Sequence, residues 1–262
     1  MEAAVPRPSF VQQNRKLLLG SLSVAAFFIA WQAAFLVVPF NSLFITKPSL
    51  MFEALWRLTL SGQLLFDLGA SAAPFFWGLA AAVVVGVPLG ILMGWRRRVG
   101  QTLDPLLTAL YASPLVALAP LIVIFLGVGP TGKAFIVFVL TVFDFVFNAY
   151  AGVRSMDRLL INVVRSLGGR EKDIYLKVIV PSVLPYLVAA MRISIGRGLV
   201  AILVGEFFAA TAGIGYRIAW FGDMYVLDRM FAYIFTMMVI AVVFTEGLRW
   251  AERAAFPWRV GM

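Results

Sequence analysis

The chain has 262 residues, 62% of them hydrophobic and 13% charged, with a mean hydropathy of +0.93, a balance that belongs to membrane proteins. It contains no cysteine and no histidine, which excludes disulfides, thiolate metal sites and the commonest zinc, haem and iron–sulfur ligation. A net charge of +9 would suggest nucleic acid in a soluble domain. Here the basic residues fall between apolar stretches, so they read as topological signals and no nucleic-acid partner is expected.

A helix needs roughly 20 apolar residues to cross a bilayer. In chain order the sequence predicts an all-α, polytopic bundle of six membrane-spanning helices forming one domain over 17–255. The first span, 17–38, follows Arg15-Lys16 and is longer than a signal-peptide core, so it is expected to be retained, with residues 1–16 as an N-terminal segment. The second, 68–95, is stopped by Arg96-Arg97-Arg98. The third, 105–128, carries Pro114 and Pro120, which predict a kink. The fourth, 134–153, contains Asp144. The fifth, 183–212, contains Arg192, Arg197 and Glu206. The sixth is 230–248, and residues 256–262 form a tail.

Six spans put both termini on one side. That side, with the 96–98 turn and the loop over 154–181, carries fifteen Lys and Arg against five on the other, where Lys133 and Arg217 are counted. The bias makes the richer face cytoplasmic. No internal repeat relates the spans, so a transporter built on this chain needs its second half from another chain.

Within the second span Gly78, Ala82, Gly86, Gly90 and Gly94 recur every fourth residue, a smooth stripe for tight helix packing. Ionisable residues inside a membrane are costly and face a partner or a cavity. Asp144 and Asn148 are four apart and share a helix face. Arg192 and Glu206, fourteen apart, return to within about 40° of one direction. Arg197 is expected to point elsewhere and snorkel to the interface. Two readings of Asp144, Asn148, Arg192 and Glu206 stand side by side: interhelical ion pairs, or the lining of a translocation pathway.

The longest polar stretch on the basic face reads as two short amphipathic helices broken at Gly168-Gly169. Leu159, Leu160, Val163, Val164 and Leu167 form an apolar stripe on the first. Ile174, Leu176 and Val178 lie among charges on the second, and Pro181 is expected to stop it. A tether needs no such pattern, so a docked partner is expected.

The spacing here resembles the cytoplasmic loop of permease subunits of bacterial binding-protein-dependent ABC importers. Asn162-Val163-Val164, three residues, Gly168, nine residues and Val178-Ile179-Val180-Pro181 stand where that family has Glu-Ala-Ala, the glycine and Ile-x-Leu-Pro. Leu103-Asp104-Pro105, Pro120-Leu121, Phe125–Gly129, Gly205-Glu206 and Ala212–Gly215 are similar to the nitrate/sulfonate/taurine branch, with Asp144 standing where proline is more usual. The resemblance, over roughly 64–255, implies a type I importer with a MetI-like transmembrane domain. It implies that Arg165, Ser166, Leu167, Gly168, Gly169, Arg170, Glu171, Asp173 and Pro181 couple the chain to an ATPase. The implied partners are a second permease copy, two cytoplasmic ATP-binding subunits, an extracytoplasmic solute-binding protein and membrane lipid. ATP and magnesium would sit on the ATPase, with no cofactor on this chain, and no Gly-x-x-x-x-Gly-Lys-Ser/Thr phosphate loop is present. The cargo implied is a small, anionic solute. The alternative is an ion- or proton-coupled carrier using Asp144, Arg192 and Glu206 as a relay.

Overall fold

A computed structural model describes residues 15–38, 41 and 44–255; the N-terminal segment up to residue 14 and the tail at 256–262 lie outside the described residues. Among the described residues the regular elements are all helical. They are α1 (Arg15–Val37), α2 (Pro48–Leu60), α3 (Gln63–Trp95), α4 (Arg97–Ala112), a 3-10 turn (Leu115–Leu118), α5 (Ala119–Leu126) and α6 (Pro130–Arg154). After these come α7 (Arg158–Ser166), α8 (Glu171–Ile174), a π-helical segment (Tyr175–Ile179), α9 (Val180–Ala209), α10 (Ile214–Asp223) and α11 (Leu227–Ala255). Helix α2, at 13 residues, reaches only about 20 Å and is too short to cross.

The third span is not a single kinked helix. Helix α4 and the segment 115–126 meet at a bend of 79°. Ser113 precedes Pro114 and is extended, with φ −74° and ψ 155°, because the proline ring crowds the helical conformation of the residue before it. Pro120 bends nothing: it lies in the first turn of α5, where no N–H donor is needed.

Helix directions settle whether this bent pair crosses. Gly78 faces Ala134 and Val137, Gly86 faces Val142 and Phe145, and Gly94 faces Val153. The order rises on both helices, so α3 and α6 run parallel and the chain between them must return across the bilayer. The bent pair is therefore a broken span. Gly205 faces Lys133, Gly198 faces Thr141 and Gly152 faces Tyr186, so α9 is antiparallel to α6. Tyr233 bonds Asp67 and Phe244 stacks on Phe75, which runs α11 parallel to α3. Phe28 meets Phe235 while Trp31 meets Phe231, which reverses α1. Six crossings result, and the described chain ends lie on the side of the α6–α9 connection.

The α3–α6 contact is the tightest in the bundle. A Cβ on Gly86 would lie 2.8 Å from the Val142 carbonyl oxygen, and one on Gly90 would overlap the Val146 carbonyl. Ala82, one turn before Gly86 on the same stripe, is fully buried. Backbones this close allow dispersion contact without side chains in between. Helix α9 covers the opposite flank of α6, with Ala201, Ile202 and Ser194 buried.

Pro181 does not stop the second amphipathic helix. The π segment closes with the Val180 N–H bonded to the Tyr175 carbonyl, and its wider turn delivers Pro181 to the first turn of α9, where no donor is required. Helix runs from Glu171 to Phe208 over 38 residues.

Replacing Gly90 with valine should cost about 1–3 kcal/mol through overpacking, read as a lower thermal midpoint of the full chain in detergent. Gly247→Val is the control, since nothing lies within 4 Å of a Cβ there. Equal midpoints for the two variants would show that the α3–α6 contact yields freely.

Candidate functional site

Three places collect polar or unsatisfied groups: the α7–α8 loop, a cluster at mid-membrane and a buried network at the opposite end.

In the loop, the Asp157 carboxylate caps α7 by accepting from the Leu159 N–H at 2.8 Å. Helix α7 then ends in a glycine turn: Gly168 takes φ +77°, and the Gly169 N–H donates to the Val164 carbonyl at 2.9 Å. This left-handed cap needs glycine and satisfies the carbonyls that the last turn leaves open. Arg170 starts the next helix, its N–H donating to the Asp173 carboxylate at 3.0 Å, while Lys177 pairs with Asp173 at 3.0 Å. The inner side of the loop is anchored, since Ile174 and Ile179 are buried with Ile91, Ala149 and Val153 at the ends of α3 and α6. The outer side is uncovered. Leu167 is 83% exposed and Leu159 63%, apolar surface at the polar end of the bundle. Arg165, Ser166, Leu167, Gly168, Gly169, Arg170, Glu171 and Asp173 thus form one continuous projection, and Pro181 lies beyond it at the root of α9.

The mid-membrane cluster centres on Asp144 of α6, which is buried. Arg197 donates to one carboxylate oxygen at 2.8 Å and Ser194 to the other at 3.2 Å. The Arg197 guanidinium also lies 4.9 Å above the Tyr111 ring of α4. Asn148 donates to the Asp144 backbone carbonyl at 2.8 Å, within its own helix. Arg197 therefore does not snorkel, and Arg192 does not join Asp144 or Glu206: it pairs with Glu252 of α11. The reason is angular. Five residues separate Arg192 from Arg197, about 140° around the helix, so one faces α11 and the other α6.

Glu206 belongs to the third place. It is buried, and its carboxylate accepts from Lys133 at 3.0 Å, from Ser71 at 2.8 Å and from the Gly215 N–H at 2.8 Å. Beside it, buried Asp67 accepts from Arg217 at 3.0 Å, the Tyr233 hydroxyl at 2.7 Å and the Gly213 N–H at 3.2 Å. Lys133 also donates to the Ala212 carbonyl at 3.1 Å. The two carboxylates clasp the α9–α10 turn to α3 and α6. Gly213, at φ +123°, must be glycine, because a Cβ would sit on the Glu206 carboxylate. Lys133 and Arg217 are thus interior partners, not outer loop charges, which removes two cations from the poorer face and strengthens the charge bias. Asp67, Ser71 and Lys133 were not among the expected site residues. The four-residue spacing of Asp67 and Ser71 carried the signal, but Asp67 fell one residue outside the expected span.

Residues 86–255 match the family of binding-protein-dependent transport system inner membrane components. The chain belongs to this family. It is 30% identical over 252 residues to the taurine transport system permease protein TauC of Escherichia coli (strain K12), covering 94% of this chain and 91% of TauC. With the bicarbonate transport system permease protein CmpB of Synechococcus elongatus it shares 29% identity over 263 residues, 94% of each chain. A chain of the inward-facing MetNI methionine ABC transporter superposes with a TM-score of 0.64 at 16% identity, covering 75% of this chain and 97% of that one, a likeness of fold. Membership makes this chain a membrane permease subunit of an ABC importer. Such subunits are non-catalytic and work with a separate ATPase and a binding protein, which sets aside the secondary-carrier reading.

Lys133→Met would leave the Glu206 charge buried without its cation, at about 3–5 kcal/mol, measured as a drop in the thermal midpoint of the purified chain. Adding Glu206→Gln removes the charge and should restore part of the loss. A double variant no more stable than Lys133→Met would show that the two side chains act independently.

Proposed function

We propose that this chain moves a small anion inward across the bacterial cytoplasmic membrane as one half of a two-fold homodimer, driven by two ATPases docked on the α7–α8 loop. The single observation behind this is the loop itself: a glycine-capped projection, fixed on its inner side and apolar on its outer side, outside the lipid belt. A partner with a complementary groove would cover Leu159, Val163 and Leu167. The charge bias supports placing the loop, and with it both chain ends, in the cytoplasm. ATP and magnesium then bind the partner, and the solute-binding protein delivers cargo at the opposite end, near α2 and α10.

Coupling in this reading runs through Arg165–Asp173 and along the helix past Pro181. The pathway runs past Asp144, Asn148 and Arg197. The Arg197 side chain is 43% exposed near the middle of a span, and a guanidinium facing hydrocarbon is costly. That face therefore borders water or the second copy. Asp144 takes one N–H of the fork and leaves others free for an oxyanion. Taurine and bicarbonate, for which TauC and CmpB are named, both carry an oxyanion group. Arg192, paired with Glu252, lies off this line, and Glu206 acts as a brace at the outer end.

Two outcomes are expected in uptake assays with the co-expressed ATPase. Gly168→Val, which strains the turn, should abolish uptake, while unchanged uptake would sink the coupling assignment. Arg197→Lys keeps a charge beside Asp144 but loses the planar fork, and uptake of the anion should fall at least about tenfold, or 1.4 kcal/mol, with ATPase co-purification intact. Wild-type uptake in this variant removes Arg197 from the pathway.

A further inference from the structure

Between the ends of α3 and α6 and the near side of α7 lies an open cavity of about 900 Å³. Arg96 and Arg97 enter it from the α3–α4 turn, Arg154 from the end of α6, and Arg158 and Arg165 from α7. Glu171 is the one acidic residue in the lining, so five positive charges and one negative leave it at +4. Among the described residues none of these five arginines forms an ion pair, whereas Arg57, Arg192, Arg197, Arg217 and Arg249 each hold a carboxylate. Arg154 donates to the Tyr150 hydroxyl at 3.0 Å, which leaves its charge uncompensated.

Topology requires cations on this face, but it does not require them to converge. Like charges gathered around one cavity repel one another, the more so where they approach within the Debye length of about 8 Å. A multiply charged anion entering the cavity would relieve that repulsion. Guanidinium forks match phosphate oxygens two at a time. The depth also fits. Trp95, which ends an apolar span, lines the cavity with Met93 and Ile161, so apolar and basic surface meet at the level of lipid headgroups, where basic pockets between helices bind anionic lipids.

We propose that this cavity is a binding site for a phosphate-bearing anion, the headgroup of an anionic phospholipid or a soluble polyphosphate. Asn162 provides the decisive probe. It lines the same cavity and is exposed, so a carboxylate there would put a second negative charge among the five arginines without disturbing the fold.

The test is native mass spectrometry of the full-length chain in detergent, with added cardiolipin, phosphatidylcholine or pyrophosphate. Cardiolipin should bind at least tenfold more tightly than phosphatidylcholine. Asn162→Glu, and separately Arg96→Gln/Arg158→Gln, should weaken it at least tenfold. Arg98→Gln, a change of charge in the same triplet but outside the lining, should leave it unchanged. Binding of pyrophosphate but not cardiolipin, with the same dependence on Asn162 and the arginines, assigns the soluble source. The proposal is overturned if neither anion binds. It is equally overturned if Asn162→Glu binds as the wild type does, or if Arg98→Gln loses as much as the cavity variants.

Discussion

A bilayer offers no water to an aspartate, a lysine or a glutamate, so the helix that carries Lys133 and Asp144 depends on being shut away from lipid. Helix α6 is enclosed because α3 approaches it with hydrogens where side chains would stand, at Gly78, Gly86, Gly90 and Gly94. With that flank closed at backbone contact, α9 covers the other with Ser194, Arg197 and Glu206 in register with the polar groups of α6. Loosening the glycine contact would open both charge sites to hydrocarbon. Packing and electrostatics are thus a single constraint here, since each buried ion depends on the fit of the helices around it.

The two intramembrane charge sites are built differently. Around Glu206 donors on three sides use the carboxylate oxygens, and the lysine is 7% exposed, so the site has no open side. Around Asp144 the acid is buried but its arginine is half open, stacked on Tyr111. A sealed pair resists change and fixes a turn, whereas a half-open pair leaves guanidinium donors that its carboxylate does not use. Access to the cation, more than the presence of charge, is what separates the two sites.

Much of this was legible in the sequence. Length and hydropathy located the spans, the four-residue glycine rhythm located the tight contact, and the Gly168-Gly169 break with its flanking stripes located the exposed α7–α8 loop. What escaped has physical causes. Periodicity along one helix says which residues share a face but not which neighbour that face meets, so Arg192 was aligned with Glu206 when Arg197 was the residue turned toward Asp144. Lys133 sits in the first turn of a span, where hydropathy cannot separate a loop charge from a buried one. Pro181 reads as a stop in any helical pattern, and only a π turn, which leaves no mark in composition, lets the helix pass it.

That passage has a mechanical consequence. At about 1.5 Å per residue, the 38 residues from Glu171 to Phe208 make about 57 Å of helix with one end in the α7–α8 loop and the other at the sealed carboxylate. A joint at Pro181 would let the loop swivel while the rest stood still. If the helix moves as one piece, a push delivered at the loop end would be spent as tilt of the whole element, pivoting where α6 holds it. The half-open arginine sits near that pivot, much closer to Phe208 than to Glu171, so a swing at the base would arrive reduced at the far end, while the groups beside the pivot change their angle more than their place.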